Sequence, residues 1–175
     1  MDNREALLNR VQEKASRYMQ KYGGCGQCSL LALQKEFGLP GGPAVVKAAG
    51  FTNLGIATME MTCGALLGGI MAIGLACGRD DLADPIYPRP EEIEDEYDLP
   101  RSQMLIRGFC QDFVREFGSA SCSDLQIRLF GRNYDVRVLE EEEKFRLAGG
   151  HVRCVEMVGK SARMAAEVIL QLPRR

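Results

Sequence analysis

Sulfur is the reactive element this chain carries in excess: seven Cys and eight Met stand against one His and no Trp in 175 residues. A single His rules out metal sites built from several imidazoles and leaves Ser-His-Asp catalysis only one candidate base. Seven thiols cannot all pair within one chain. Reduced, clustered cysteines serve as soft-metal ligands or as redox groups, and those are the two chemistries the composition leaves open.

Cys25 and Cys28 form Cys-Gly-Gln-Cys at the start of an expected helix. The positive end of a helix dipole favours a thiolate there, which makes a better ligand and a better nucleophile. The same spacing can chelate a metal through two sulfurs. Ser29 stands where covalent haem attachment would require His, so no covalent haem is expected. A thioredoxin-type pair would need a preceding strand and a βαβ setting, and neither is visible. Cys63 and Cys77 lie on one expected helix, 14 positions and so ~21 Å apart along its axis. They cannot share a metal or a disulfide if that helix is continuous. Cys63 has small neighbours, Thr62, Gly64, Ala65 and Gly68, which leave room for a cofactor or another backbone to reach its sulfur. Cys77 precedes Gly78 at a helix end and reads as a buried structural thiol, so Cys63 is the site candidate. His151 lies one helical turn before Cys154 and could serve as a ligand or as a proton donor to a thiolate. Arg153 beside it could lower the thiol pKa equally well.

The elements that must position these groups read as helical almost throughout. Leu7, Leu8, Val11, Ala15, Tyr18, Met19 and Tyr22 recur at three- and four-residue intervals until Gly23-Gly24. Cys28 to Phe37 ends at Gly38, and Pro43 opens a short helix ending near Gly50. Met61 to Gly78 is uncharged but diluted by five glycines and bounded by Glu60 and Arg79. It therefore reads as a buried, Gly-rich central helix and not as a membrane span. Residues 79–100 hold four of the seven prolines and nine Asp or Glu, the pattern of a Pro-rich, acidic surface loop. Met104 to Phe117 is helical, Ser123 to Gln126 has capping-box form, and Asp135 opens a segment closed by Gly149-Gly150. Tyr134 to Val138 is a weak strand candidate. Val152 to Ile169 gives a strong last helix. The expected architecture is all-α: one domain over residues 1–175, a helical bundle of about six or seven helices around the Gly-rich one. A net charge of −2 argues against nucleic acid and anionic lipid as partners. The charged N-terminus lacks an apolar core and a cleavage site, so a cytoplasmic setting is expected, with no membrane insertion.

Cys63-Gly64-Ala65-Leu66-Leu67-Gly68 resembles the CGAxxG motif of the redox-active family C_GCAxxG_C_C. Cys28-Ser29-Leu30-Leu31-Ala32-Leu33 is similar to the family's first-cysteine helix, and Gly38-Leu39 to the turn after it. Phe117-Gly118 with Ser121-Cys122 and Leu125, and Cys154 before Ala165-Ala166-Glu167, resemble its later segments. The resemblance implies a four-cysteine site of Cys28, Cys63, Cys122 and Cys154, with Cys25 able to replace Cys28. Cys77 and Cys110 are then extras. Four thiolates from separate helices could bind an iron–sulfur cluster that exchanges electrons with a redox partner. They could hold a structural zinc or Cu(I) instead. Without metal, Cys28 and Cys63 would be redox thiols in disulfide exchange, with Cys28 as the attacking thiolate. A purely structural helical protein is the remaining reading, with Gly68-Gly69 offering a homodimer contact.

Overall fold

Residues 3–79 and 101–172 are described by a computed structural model, the side chains of 101 and 102 excepted. The expected loop over 79–100 therefore lies, but for Arg79, outside the described residues. Eight α-helices and one 3-10 turn form within them, slightly more than the periodicity predicts. They are α1 (Asn3–Tyr22), α2 (Cys25–Phe37), α3 (Gly42–Ala48), α4 (Gly64–Cys77), α5 (Arg101–Phe117), α6 (Cys122–Phe130), α7 (Leu139–Leu147) and α8 (Gly150–Ile169). No strand occurs among the described residues; Tyr134–Val138 instead forms turns, with Val136 N–H donating to Tyr134 O and Val138 N–H to Asp135 O.

α8 is the axis of the bundle and lies against α1, α2, α4, α5 and α7. The middle of its buried face is small, with Gly159, Ser161, Ala162, Ala165 and Ala166, which lets those neighbours approach closely. α1 contributes the stripe Leu8, Val11 and Ala15, spaced by three and four residues as an amphipathic helix requires. From α5, Phe109 and Phe113 are fully buried, and truncating either to Ala should cost about 3–5 kcal/mol.

α4 is the Gly-rich helix expected at the centre, with Gly64, Ala65, Leu66, Gly68, Gly69, Ala72 and Ile73 all buried. No helix among the described residues is long and apolar enough to cross a membrane. The helix starts at Gly64 and not at Met61, because Thr62 pairs with Ser121 in an isolated antiparallel bridge. α6 likewise differs from its sequence signature. Its cap is Ser121, whose hydroxyl accepts from Asp124 N–H at 3.2 Å, while Ser123 lies inside the helix.

The segment between the 3-10 turn (Ala49–Phe51) and α4 has an unusual backbone. Leu54, Ile56, Ala57, Thr58 and Glu60 all have left-handed φ, between 49° and 65°, with Gly55 among them at 69°. Such a run is sterically costly for L-residues and persists only where other contacts hold it. Here Ala57 N–H donates to Phe51 O (2.8 Å), Met61 N–H to Gly55 O (2.9 Å) and Glu60 N–H to Leu54 O (3.1 Å).

Candidate thiol site

Three helices begin at a cysteine. Cys25 is the first residue of α2, Cys63 caps α4, and Cys122 is the first residue of α6. Cys154 lies one turn into α8. These four thiols line one small, partly open cavity of about 30 Å³. Its remaining wall is apolar, formed chiefly by Leu54, Leu125, Leu129, Phe130, Met157 and Val158, with Gln126 its polar exception.

Backbone carries most of the positioning. Cys63 N–H donates to Ala120 O (2.8 Å), Cys122 N–H to Met61 O (2.6 Å) and Ser123 N–H to Glu60 O (3.0 Å). The starts of α4 and α6 are thereby clipped together although they are far apart in sequence. On the other side, α2 crosses α4 at glycine. A Cβ at Gly68 would overlap Gly26 O, and a Cβ at Gly64 would overlap Thr52 O. Gly64 and Gly68 thus let Thr52 and the first turn of α2 pack directly against the start of α4.

The electrostatics oppose thiolate formation in the metal-free protein. Burial pushes the Cys25 thiol up, against the backbone N–H groups of Leu54, Cys25 and Gly26, which favour its thiolate. Burial, then the charge of Cys25, pushes Cys63 up to about 12, with Ala65 and Leu66 N–H pulling the other way. Cys122 is pushed up to about 11, again mainly by burial and then by Cys25, against a hydrogen bond from Gln126. Cys154 is raised by burial and by the charges of Cys25, Cys63 and Cys122. Desolvation and mutual repulsion therefore outweigh three helix N-termini of about half a positive charge each. A cation among the sulfurs would reverse that balance, because it attracts every thiolate at once.

Cys28, assigned to the site by resemblance, does not line the cavity. It is 4% exposed, and its Sγ donates to Gly23 O at 2.9 Å. Cys25 stands with Cys63, Cys122 and Cys154 in its place. Cys77 Sγ donates to Ile73 O on its own helix, and Cys110 is half-buried on α5. His151 also lies off the cavity: it is exposed, with Nε2 3.0 Å from Glu142 Oε1 and its ring against Phe145. Two lining residues escaped the sequence reading. Met157 Sδ accepts from Cys63 Sγ at 3.8 Å, and Gln126 Nε2 donates to Cys122 Sγ at 3.9 Å. Each follows a site cysteine by one turn, Met157 after Cys154 and Gln126 after Cys122, and that spacing was the available signal.

The profile of the family described as "Putative redox-active protein (C_GCAxxG_C_C)" matches residues 23–168. The chain belongs to that family. No curated protein and no solved structure matches it. The C_GCAxxG_C_C match takes in Cys25 and Cys28 alike, so the choice between them rests on geometry. The CGAxxG glycines of the family motif, Gly64 and Gly68 here, have a steric reason to be glycine in the close approaches just described. Gly68 and Gly69 are used within the chain, against Gly26 and Phe109 respectively.

The donor set of the cavity is uniformly soft: four thiols and no carboxylate or imidazole. That chemistry suits a thiolate-ligated centre and excludes a hard, oxygen-ligated ion. Among the described residues, no three His, Cys, Asp or Glu side chains already converge on one point as ligands for a single ion. The thiols border the cavity separately instead. A mononuclear zinc needs all four sulfurs about 2.3 Å from one atom, whereas a four-iron cluster takes one cysteine per iron. The cavity volume points the other way, since it equals about one water molecule's share of liquid volume. Donor spacing is the stronger criterion. Cys63 and Cys122 sit on helix starts clipped together by main-chain hydrogen bonds, while the Leu54 wall belongs to a strained loop.

Proposed function

We propose that Cys25, Cys63, Cys122 and Cys154 hold a thiolate-ligated metal centre of the iron–sulfur type, through which the protein exchanges electrons with a redox partner. The observation that carries this reading is the convergence of four thiols, three of them at helix N-termini, on one otherwise mostly apolar cavity. Such a centre supplies one-electron redox chemistry at a potential set by burial, hydrogen bonding and charge.

The chain's own contribution follows from its groups. Each thiol releases its proton as it becomes a ligand, so binding is opposed by acid. Leu54, Gly26, Ala65 and Leu66 N–H groups face the sulfurs of Cys25 and Cys63 and stabilise negative charge there. Leu125, Phe130 and Val158 keep water from the sulfurs. In this reading Cys25 is the first ligand and Cys28 is not one.

Protein made without oxygen, or reconstituted with ferrous iron and sulfide, should be brown, with charge-transfer absorption and matching iron and sulfide content. Cys25→Ser should lose that spectrum and Cys28→Ser should keep it. A colourless protein holding stoichiometric zinc, or one taking up neither metal, would overturn the iron–sulfur reading. Loss of the spectrum in Cys28→Ser alone would overturn the ligand assignment.

A further inference from the structure

Cys25 has a thiol neighbour that the metal reading leaves idle. Cys28 follows it by three residues in the first turn of α2. Residues so spaced have Cβ atoms about 5–6 Å apart, wider than the ~3.5–4.5 Å of a disulfide, so the bond must draw the first turn of α2 inward, while their Cα separation already falls within the range a disulfide spans. The Cys28 sulfur is turned back toward the helix start, where it meets Gly23 O. A charge on Cys25 acts directly on Cys28, so the two sulfurs are electrostatic neighbours. Cys25 keeps some solvent exposure as a residue although its sulfur lines the cavity, whereas Cys28 is buried. Gly23 and Gly24, with φ of 67° and 80°, precede the pair, and no side chain caps the helix there.

The geometry points to Cys28 as a resolving thiol, which closes a disulfide onto Cys25 and so withdraws Cys25 from the four-thiol set. Metal binding would then be gated by the oxidation state of this one pair. The bond itself needs only the two thiols; the loss of metal binding rests on the function proposed above.

The oxidant is a small-molecule disulfide, RS–SR. The Cys25 thiolate attacks one of its sulfurs, the S–S bond breaks, and one RS⁻ leaves with a mixed disulfide on Cys25. The Cys28 thiolate then attacks the Cys25 sulfur, forming the intramolecular bond and expelling the second RS⁻. The two leaving thiolates take up the two protons that Cys25 and Cys28 gave up. Two protein thiols are oxidised and one disulfide is reduced to two thiols.

The experiment uses the full chain, reduced and metal-free under argon, treated with oxidised glutathione, then alkylated and mapped by peptide mass. Wild type should yield a Cys25–Cys28 bridge and two released glutathione thiols per bridge. Cys28→Ser and Cys28→Ala should instead retain glutathione on Cys25. On reconstitution with iron and sulfide, bridged wild type should take up iron at least about tenfold less well, since losing a ligand costs more than the ~10–100-fold of losing a ligand's hydrogen-bond partner, and dithiothreitol should restore it. A glutathione adduct persisting on Cys25 in wild type, or a bridge joining other cysteines, would overturn the proposal. So would bridged protein that loads iron like the reduced form. If reduced wild type takes up no metal at all, the metal reading fails and the gating with it, while the peptide map still decides the bridge.

Discussion

Replacing Ala57 by Gly should stabilise this protein, although the same exchange in a helix is destabilising. Five non-glycine residues of the loop before α4 have left-handed φ. At about 1–2 kcal/mol each they cost roughly 5–10 kcal/mol together, comparable to the whole stability of an ordinary domain. Ala57 is the cleanest probe of that cost. Its φ is 50° and its side chain is exposed, so Gly removes the steric clash and almost no packing. Its N–H still donates to Phe51 O. Glycine's greater freedom in the unfolded chain takes back about 0.5–1 kcal/mol, leaving a net gain of about 0.5–1 kcal/mol. For a chain of this size that is a rise in Tm of about 1–4 °C. Ala6→Gly, within α1, supplies the opposite sign and should cost about 1 kcal/mol. Urea unfolding of both variants, reduced and metal-free, measures the difference. If Ala57→Gly is destabilised as much as Ala6→Gly, the loop is not strained and the reasoning fails.

Gly68→Ala should lose about 1–3 kcal/mol by thermal unfolding, because the new methyl meets the backbone of Gly26, and its iron uptake should fall as α2 is pushed from α4. His151→Ala should load metal like wild type by iron and zinc analysis, since the imidazole faces Glu142 outside the cavity. Glu36, on α2, is held below the usual carboxylate range chiefly by a hydrogen bond from Lys14, with Arg10 assisting against the opposing effect of burial. A lowered carboxyl pKa stabilises the fold above the unfolded value and loses that effect as pH falls through the folded one. Glu36→Gln should therefore cost about 0.5–1 kcal/mol near neutral pH and progressively less as pH falls through the lowered folded-state pKa, as urea unfolding at neutral and at acidic pH would show.

The helices were legible because their signals are local. The stripe Leu8, Val11, Ala15 and the breaks at Gly23-Gly24 and Gly38 need no partner to be read. The Gly-rich run around α4 was legible for the same reason, as was the wide separation of Cys63 and Cys77 along one helix. What escaped depends on docking. Cys25 and Cys28 differ by less than one turn, and which of them reaches the cavity depends on how α2 docks, with Gly26 close against Thr52 and the backbone of Gly64. Nothing in the string Leu54 to Glu60 announces left-handed backbone, since Gly55 is its only permissive residue. Hydrogen bonds across the loop and to α6 impose that conformation. The start of α4 moved for a similar reason: Met61 to Cys63 are committed to the segment before α6 and cannot join the helix.

The clip between the starts of α4 and α6 makes the two sides of the thiol site mechanically unequal. Cys63 and Cys122 are anchored by main-chain hydrogen bonds on both sides of the bridge, so their separation is indifferent to side-chain substitution nearby. Cys25 is held instead by a helix start without a side-chain cap and by a loop that stores strain. The site resembles a vice with one fixed jaw and one that travels. Changes of ligand, of metal or of oxidation state should be accommodated at the α2 side, leaving the α4–α6 side unaltered.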